Sequence, residues 1–476
     1  MKKNLLNYFL PCVLLFALAF FLKLKYITYR DVCGDEPFSI FLAQASLSEI
    51  YKVQVTGNNP PLWEWLLHFW QLVFGTKAAY MRLLPLLIGA ATAPAIWLVG
   101  RRFYGVYAAW FMALLFVFSN LHFYFGLEAR VYALLCLLTA LAFGLYLSVC
   151  HRQEKWALVP LLLTNILLVY AHYFGWLLVA MQVFTTVLLY RKSLAKIALV
   201  VLATVVAYAP IWWAMAKNLQ TAAKNGTWLL PPYRFQYFLE LEQFLNHRIA
   251  FVAFFVLFLV CAVGFFTQKT PSFSHATKLH ITAFSWFFVP YTAMFVVSFW
   301  VPVFLNRYIL FCSVPFYIFL AGFCVHSFSA VKMRMAVAAV GVLAMGAFFK
   351  PNPYLILTRQ VQQVTRAIAP QLQDPQTMVL VHPFWAGLGL SYYLAPTAFA
   401  DYAHHEARLH EQRIHPVWEL TAAQHWLTTQ PKSKVLYFQD GNQRNAEIER
   451  YLHQNYQLTD SSYFRDNLYL YAYKPK

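Results

Sequence analysis

Few residues of this chain could do chemistry, and they are unevenly placed. Only nine acidic side chains precede residue 351: Asp31, Asp35, Glu36, Glu49, Glu64, Glu128, Glu154, Glu240 and Glu242. Asp35-Glu36 stands in RDVCGDEPFSI, where Gly34 and Pro37 shape a turn. A carboxylate there can accept a proton from a hydroxyl; the structural alternative is a helix N-terminus, where the dipole favours acids. Glu128 and Arg130 lie in GLEARVYAL with Tyr132, and in isolation read as an interfacial ion pair. Arg307-Tyr308, in FLNRYILF, opens an apolar run. A lone arginine there is an anchor, or a planar donor for bidentate phosphate binding. His172, in AHYFGW, reads as structural when taken alone. Glu64 and His68, spaced i, i+4, are able to touch and carry little catalytic weight.

The elements that position these groups are membrane helices. Hydrophobic residues make up 60% of the 476 and charged residues 12%, with a mean hydropathy of +0.51. A soluble domain is roughly one quarter charged, so the chain reads as a polytopic α-helical membrane protein. That excludes a secreted disulfide scaffold, a disordered regulator and a cytosolic enzyme. Of 37 Lys and Arg, 26 precede residue 351. The basic excess therefore belongs to the hydrophobic part, where cations set topology and meet anionic lipid head groups. A nucleic-acid partner would need a soluble basic face, and the sequence has none. Of seven cysteines only Cys33 falls in a polar loop, and no CxxC spacing occurs.

Eleven apolar stretches are expected to span: about 5–27, 79–100, 105–125, 131–150, 156–173, 174–190, 195–216, 250–267, 281–300, 308–329 and 335–350. Lys2/Lys3, Arg101/Arg102, Arg152/Lys155, Arg191/Lys192/Lys196, Lys269/Lys278 and Lys332/Arg334 fall on one side, cytoplasmic by the positive-inside rule. The N-terminus is then cytoplasmic and the C-terminus extracytoplasmic. Lys23, Lys25 and Arg30 break the pattern at the outer end of the first span, by snorkelling or by facing an anionic ligand. Residues 28–78 and 217–249 form the long outer segments. Beyond 350 the pattern changes to helix (VQQVTRAIAPQL), strand (TMVLVHP), helix (LTAAQHWLTTQ), strand (SKVLYFQD) and helix (NAEIERYLHQNY). The expected organisation is a transmembrane module, 1–350, and a small extracytoplasmic α/β domain, 351–476.

In this topology four polar clusters from different hairpins reach one membrane face. A carboxylate, two arginines and a histidine there suit transfer chemistry on a phosphate-linked lipid. The order of DE after the first span, NPPL, EARVYAL, HYFG and a late RY resembles GT-C glycosyltransferases of the family 39 type. These include protein O-mannosyltransferases and lipid A aminoarabinose transferases. The resemblance covers about 1–330 and is strongest over 30–190. It implies a polyprenyl-phosphate sugar donor, undecaprenyl phosphate in a bacterium, and inverting transfer on the outer face of the plasma (bacterial inner) membrane. The acceptor would be a glycan, lipid or protein hydroxyl. It assigns the general base to Asp35. The residues themselves suggest Arg130, Arg307 and Tyr308 toward the donor phosphate, with Glu36, Glu128, Tyr132, His172 and Asn59 in support. Where relatives often carry HPPL, this chain has Asn59-Pro60-Pro61-Leu62, so any role of that histidine is absent or moved. No cofactor is required. A divalent metal is compatible with His404, His405, Glu406, His410 and His415, although a solvated polar face explains that cluster better. The rival class, a transporter or lipid flippase, would place ionisable residues near the midplane, often in paired repeats. These cluster at outer span ends instead.

Overall fold

A computed structural model describes residues 2–57, 59–225, 230–266, 275–350, 360–430 and 433–476. Asn58 and the loop cation Lys269 lie outside them. By its contacts the chain divides into two compact units. The first comprises Met1–Lys25, Tyr51–Trp63 and Arg82–Pro351; the second comprises Tyr26–Ile50, Glu64–Met81 and Asn352–Lys476. The second therefore takes in two segments from the N-terminal part of the sequence.

The first unit is helical, as apolar sequence in lipid must be, because a helix satisfies its backbone groups internally. Each of the eleven apolar stretches carries helix. Among the described residues, five helices are long and apolar enough to cross a membrane: Leu6–Leu24, Ala78–Phe103, Tyr132–Cys150, Ala276–Val297 and Asn306–His326. Two bent pairs add to these, Arg191–Ala207 with Ala209–Thr221 and Gln236–Phe244 with Arg248–Gly264, turned by 78° and 84°. Val106–Val117, Lys155–Ala171 and Gly175–Leu189 are shorter apolar helices. Tyr132–Cys150 and Asn306–His326 are the most enclosed, so the motifs at their N-terminal ends stand on the best-packed supports. At the second bend Asn246 adopts a left-handed conformation, φ 69°, which asparagine tolerates better than most residues. Its amide donates to the carbonyls of Phe118 and Met345 and accepts from the backbone of Asn120.

The second unit is built on a five-stranded sheet. Its strands are β1 Thr377–His382, β2 Ile414–Pro416, β3 Lys434–Asp440, β4 Tyr456–Phe464 and β5 Leu468–Pro475, in the order β2-β1-β3-β5-β4. β2, β1 and β3 run parallel, and β5 and β4 continue antiparallel. The two-residue period of the strands gives two apolar faces. Val379, Val381, Leu436 and Phe438 pack with Val361–Ile368 and Ala386–Leu394 on one side. Met378, Leu380, Val435 and Tyr437 pack with Leu420–Thr429 and Ala446–Asn455 on the other. The five elements expected beyond residue 350 are all present; β2 and the β4–β5 hairpin are additional. Asp466 and Asn467, both at positive φ, make that hairpin's tight turn.

The N-terminal segments are tied into this unit by specific bonds. The Asp31 carboxylate accepts from the backbone of Gln362 at 2.8 Å, and Tyr393 accepts from the backbone of Val32 at 2.6 Å. Gln44 donates to the carbonyl of Phe399 at 3.1 Å, and Tyr392 accepts from the backbone of Ala78 at 2.8 Å. Cys33, expected in a polar loop, is buried in the sheet's apolar core, because the loop folds onto a domain encoded some 330 residues later.

Candidate functional site

In the first unit the motif residues converge. The loop before Tyr132–Cys150 is drawn tight by a bond from the Arg130 backbone N–H to the Glu128 carbonyl at 2.6 Å. The buried Trp63 indole fixes it further, donating to the carbonyl of Ala129 at 3.1 Å. Glu128, Arg130 and Tyr132 are buried, and the Tyr132 ring meets Phe125 edge-on at 5.3 Å. His172 leaves the preceding helix in extended conformation and is also buried. Its Nδ1 accepts from the backbone of Phe174 at 3.2 Å, and it lies within electrostatic reach of Arg130. Tyr308 then joins the histidine to the second arginine. Its ring is 5.9 Å from that of His172 and 5.6 Å from that of Phe174, and the Arg307 guanidinium lies 5.4 Å from its centre.

His172, Tyr308 and Arg307 thus adjoin one another, with Arg130 within electrostatic reach of the histidine, and the group draws on three separate hairpins. The planar N–H forks of a guanidinium group match phosphate oxygens in geometry. Asn59, half-buried, belongs to the same unit.

Asp35 and Glu36 are carried by the second unit. Gly34 turns the chain at φ +64°, a conformation that is costly for residues with a Cβ, and Asp35 becomes the N-cap of the helix Glu36–Leu42. The Asp35 side chain makes no capping bond to that helix and is only half-buried, whereas Glu36 is completely buried. The adjacent acids are therefore inequivalent.

Two expectations change. Lys23 does not snorkel: it is 2% exposed and donates to the carbonyl of His122 at 2.8 Å. A side chain at Gly126 would collide with its ammonium group, so that glycine makes room for it. An unsolvated lysine late in an apolar helix was the available signal. Glu64 and His68 take different partners: Ser39 donates to Glu64 at 3.0 Å, while His68 lies 2.8 Å from the carbonyl of Ala43.

The histidine cluster also departs from a solvated face. His415 is fully buried, stacked on Trp426 at 3.9 Å and 3.0 Å from His410. Burial, then the charges of His410 and His425, push its pKa down to about 4. His405 faces the carbonyl of Ala398, and His404 faces Asp401. Among the described residues no group of three or more His, Cys, Asp or Glu is arranged to hold a metal ion.

Apolar membrane helices followed in sequence by a small sheet domain make the GT-C fold. Crystal structures of ArnT from Cupriavidus metallidurans share it. The apo form superposes with a TM-score of 0.65 at 14% identity over 97% of both chains. The form bound to undecaprenyl phosphate gives 0.62 at 14% identity, again over 97% of both. The Archaeoglobus fulgidus oligosaccharyltransferase, in complex with Zn and sulfate, gives 0.54 at 13% identity over 95% of this chain and 73% of that one. No protein-family model and no curated protein sequence matches.

Proposed function

We propose that this protein is an integral-membrane glycosyltransferase that moves a sugar from a polyprenyl-phosphate donor to a hydroxyl acceptor on the extracytoplasmic face. The observation that carries the reading is the likeness to ArnT over 97% of both chains, including the form bound to undecaprenyl phosphate. The patch of buried Arg130 and His172 with half-buried Tyr308 and Arg307 supports it independently, since its chemistry suits a phosphate. In this reading residues 1–350 form the transferase module, with a cytoplasmic N-terminus, and 351–476 form an extracytoplasmic domain that meets the acceptor.

The reaction is a single inverting displacement. The Asp35 carboxylate takes the proton of the acceptor hydroxyl as that oxygen bonds to the anomeric carbon. The bond from that carbon to the phosphate oxygen breaks, and the electron pair leaves with the lipid phosphate. Arg130 and Arg307 hold the growing negative charge. Polyprenyl phosphate is a stable anion, so the leaving group needs no proton from an acid, and no metal is required.

The test is reconstitution in liposomes with a synthetic polyprenyl-phosphate sugar and a panel of lipid, glycan and peptide acceptors. Transfer of the sugar with inverted anomeric configuration is expected. Lipid translocation without transfer would replace this reading with a flippase.

A further inference from the structure

The sheet of the second unit has a topological switch point outside the transfer chemistry. After β1 the chain passes to Ala386–Leu394 on one face; after β3 it passes to Ala446–Asn455 on the other. Adjacent parallel strands whose connections leave in opposite directions open a cleft at their carboxyl ends, where ligands of α/β sheets bind. Three exposed rings stand at this point. Phe384 is 53% exposed, Trp385 36% and Trp418 48%. Their centroids lie 4.9 to 5.7 Å apart, a contiguous aromatic surface. The His382 ring, 6.1 Å from Trp418, adjoins it, and the Asn445 amide donates to the carbonyl of Trp418 at 3.4 Å.

Beside the rings is a polar group that the fold leaves unsatisfied. Gln439 pairs in register with His382 on β1 and Tyr469 on β5. All three therefore point to the same face at the strand ends. Gln439 is completely buried, yet neither its amide nitrogen nor its carbonyl oxygen finds a hydrogen-bond partner among the described residues. Burying an amide in this state is destabilising, and such a group calls for an explanation.

We propose that this switch point binds a saccharide. Flat apolar rings suit the C–H faces of a pyranose, and an amide offering both donor and acceptor suits its hydroxyls, directly or through a water. Insertion into a lipid interface would use the rings but leave Gln439 unexplained. Binding itself stands on these residues; that the saccharide is the acceptor rests on the transferase reading above.

The protein in phospholipid nanodiscs, free of glycoside detergent, is examined by saturation-transfer NMR with cellotetraose, maltotetraose and chitotetraose. Transfer to the ring protons of at least one is expected. Trp385→Ala with Trp418→Ala should weaken that binding about tenfold. Gln439→Leu should weaken it roughly threefold to tenfold while raising the unfolding temperature, because it removes an unsatisfied amide. A glutamine that served only the fold would not combine those two changes. Absence of transfer to all three saccharides, or unchanged affinity in both variants, would overturn the proposal. So would lipid contact alone, seen as bromolipid quenching of the emission lost in the double tryptophan variant. Donor turnover plays no part in this readout, so a failure here and a failure of the transferase reading are separately visible.

Discussion

The two units use their polar residues in opposite ways. In the first, Arg130, His172 and Tyr308–Arg307 are drawn from three hairpins into one patch. The chemistry is concentrated, and its supports are the most enclosed helices. In the second, Asp35 sits on a short helix whose neighbouring segment is pinned by long-range bonds to a sheet domain. Its aromatic and amide groups gather at the far ends of the strands. In the proposed mechanism anion binding and proton transfer fall to residues of different units, which makes the two roles separable by mutation.

The largest expected effect breaks the second unit's contribution alone. Asp35→Asn keeps size and hydrogen bonding and removes basicity, so turnover should fall by about 100- to 10,000-fold. Glu36→Gln is the comparison, since Glu36 is completely buried whereas Asp35 is half-buried. It should affect folding yield more than the turnover of folded protein. Deleting residues 360–476 sharpens the contrast further. It removes Tyr393, the Gln362 backbone and the core around Cys33, so the Asp35 segment loses its scaffold. Donor hydrolysis by water should be lost together with acceptor transfer, while polyprenyl-phosphate binding persists. Radiolabelled donor consumption and lipid binding measured on one preparation check this.

Next comes the first unit. Arg130→Ala and Arg307→Ala should each weaken polyprenyl-phosphate binding about tenfold or more, the worth of a charged hydrogen bond. Arg307→Lys should recover part of that, because an ammonium lacks the planar fork. Unchanged binding in both alanine variants would return these residues to interface anchors.

Much of this division was legible in the sequence, and part of it was not. The helices announced themselves by length and hydropathy. EARVYAL, HYFG and RY stood out because each sets polar groups in an otherwise apolar pattern, and His172, Tyr308 and Arg307 from two of them do adjoin in the fold. The attachment of 26–50 and 64–81 to the C-terminal domain had no local signal. It rests on pairings such as Val32 with Tyr393 and Gln44 with Phe399, and separation of that order leaves no periodicity to read. Lys23 and Cys33 misled for the same reason: their exposure is decided by partners distant in sequence. β2, only three residues long, carries too little pattern to be found alone.

The smallest expected effect is on pH stability and separates the units without mutation. His415 keeps its pKa near 4 when folded and near 6.5 when unfolded. Between these values the unfolded chain binds more protons, so stability falls as pH falls through that window. The folded His382 and His405 are shifted in the same direction by burial. Acidification from neutral should destabilise the sheet domain by about 1–3 kcal/mol. Amide exchange should quicken in β1 and β2 before it does in Tyr132–Cys150. His415→Phe should flatten the dependence.

The central claim is most directly tested by two readings on one reconstituted sample of Asp35→Asn: bound polyprenyl-phosphate donor by native mass spectrometry, and sugar transferred per protein over time. The account predicts a folded, donor-loaded protein with near-native affinity whose turnover is down by about two orders of magnitude or more. Near-normal turnover would contradict it and remove Asp35 from the proton transfer.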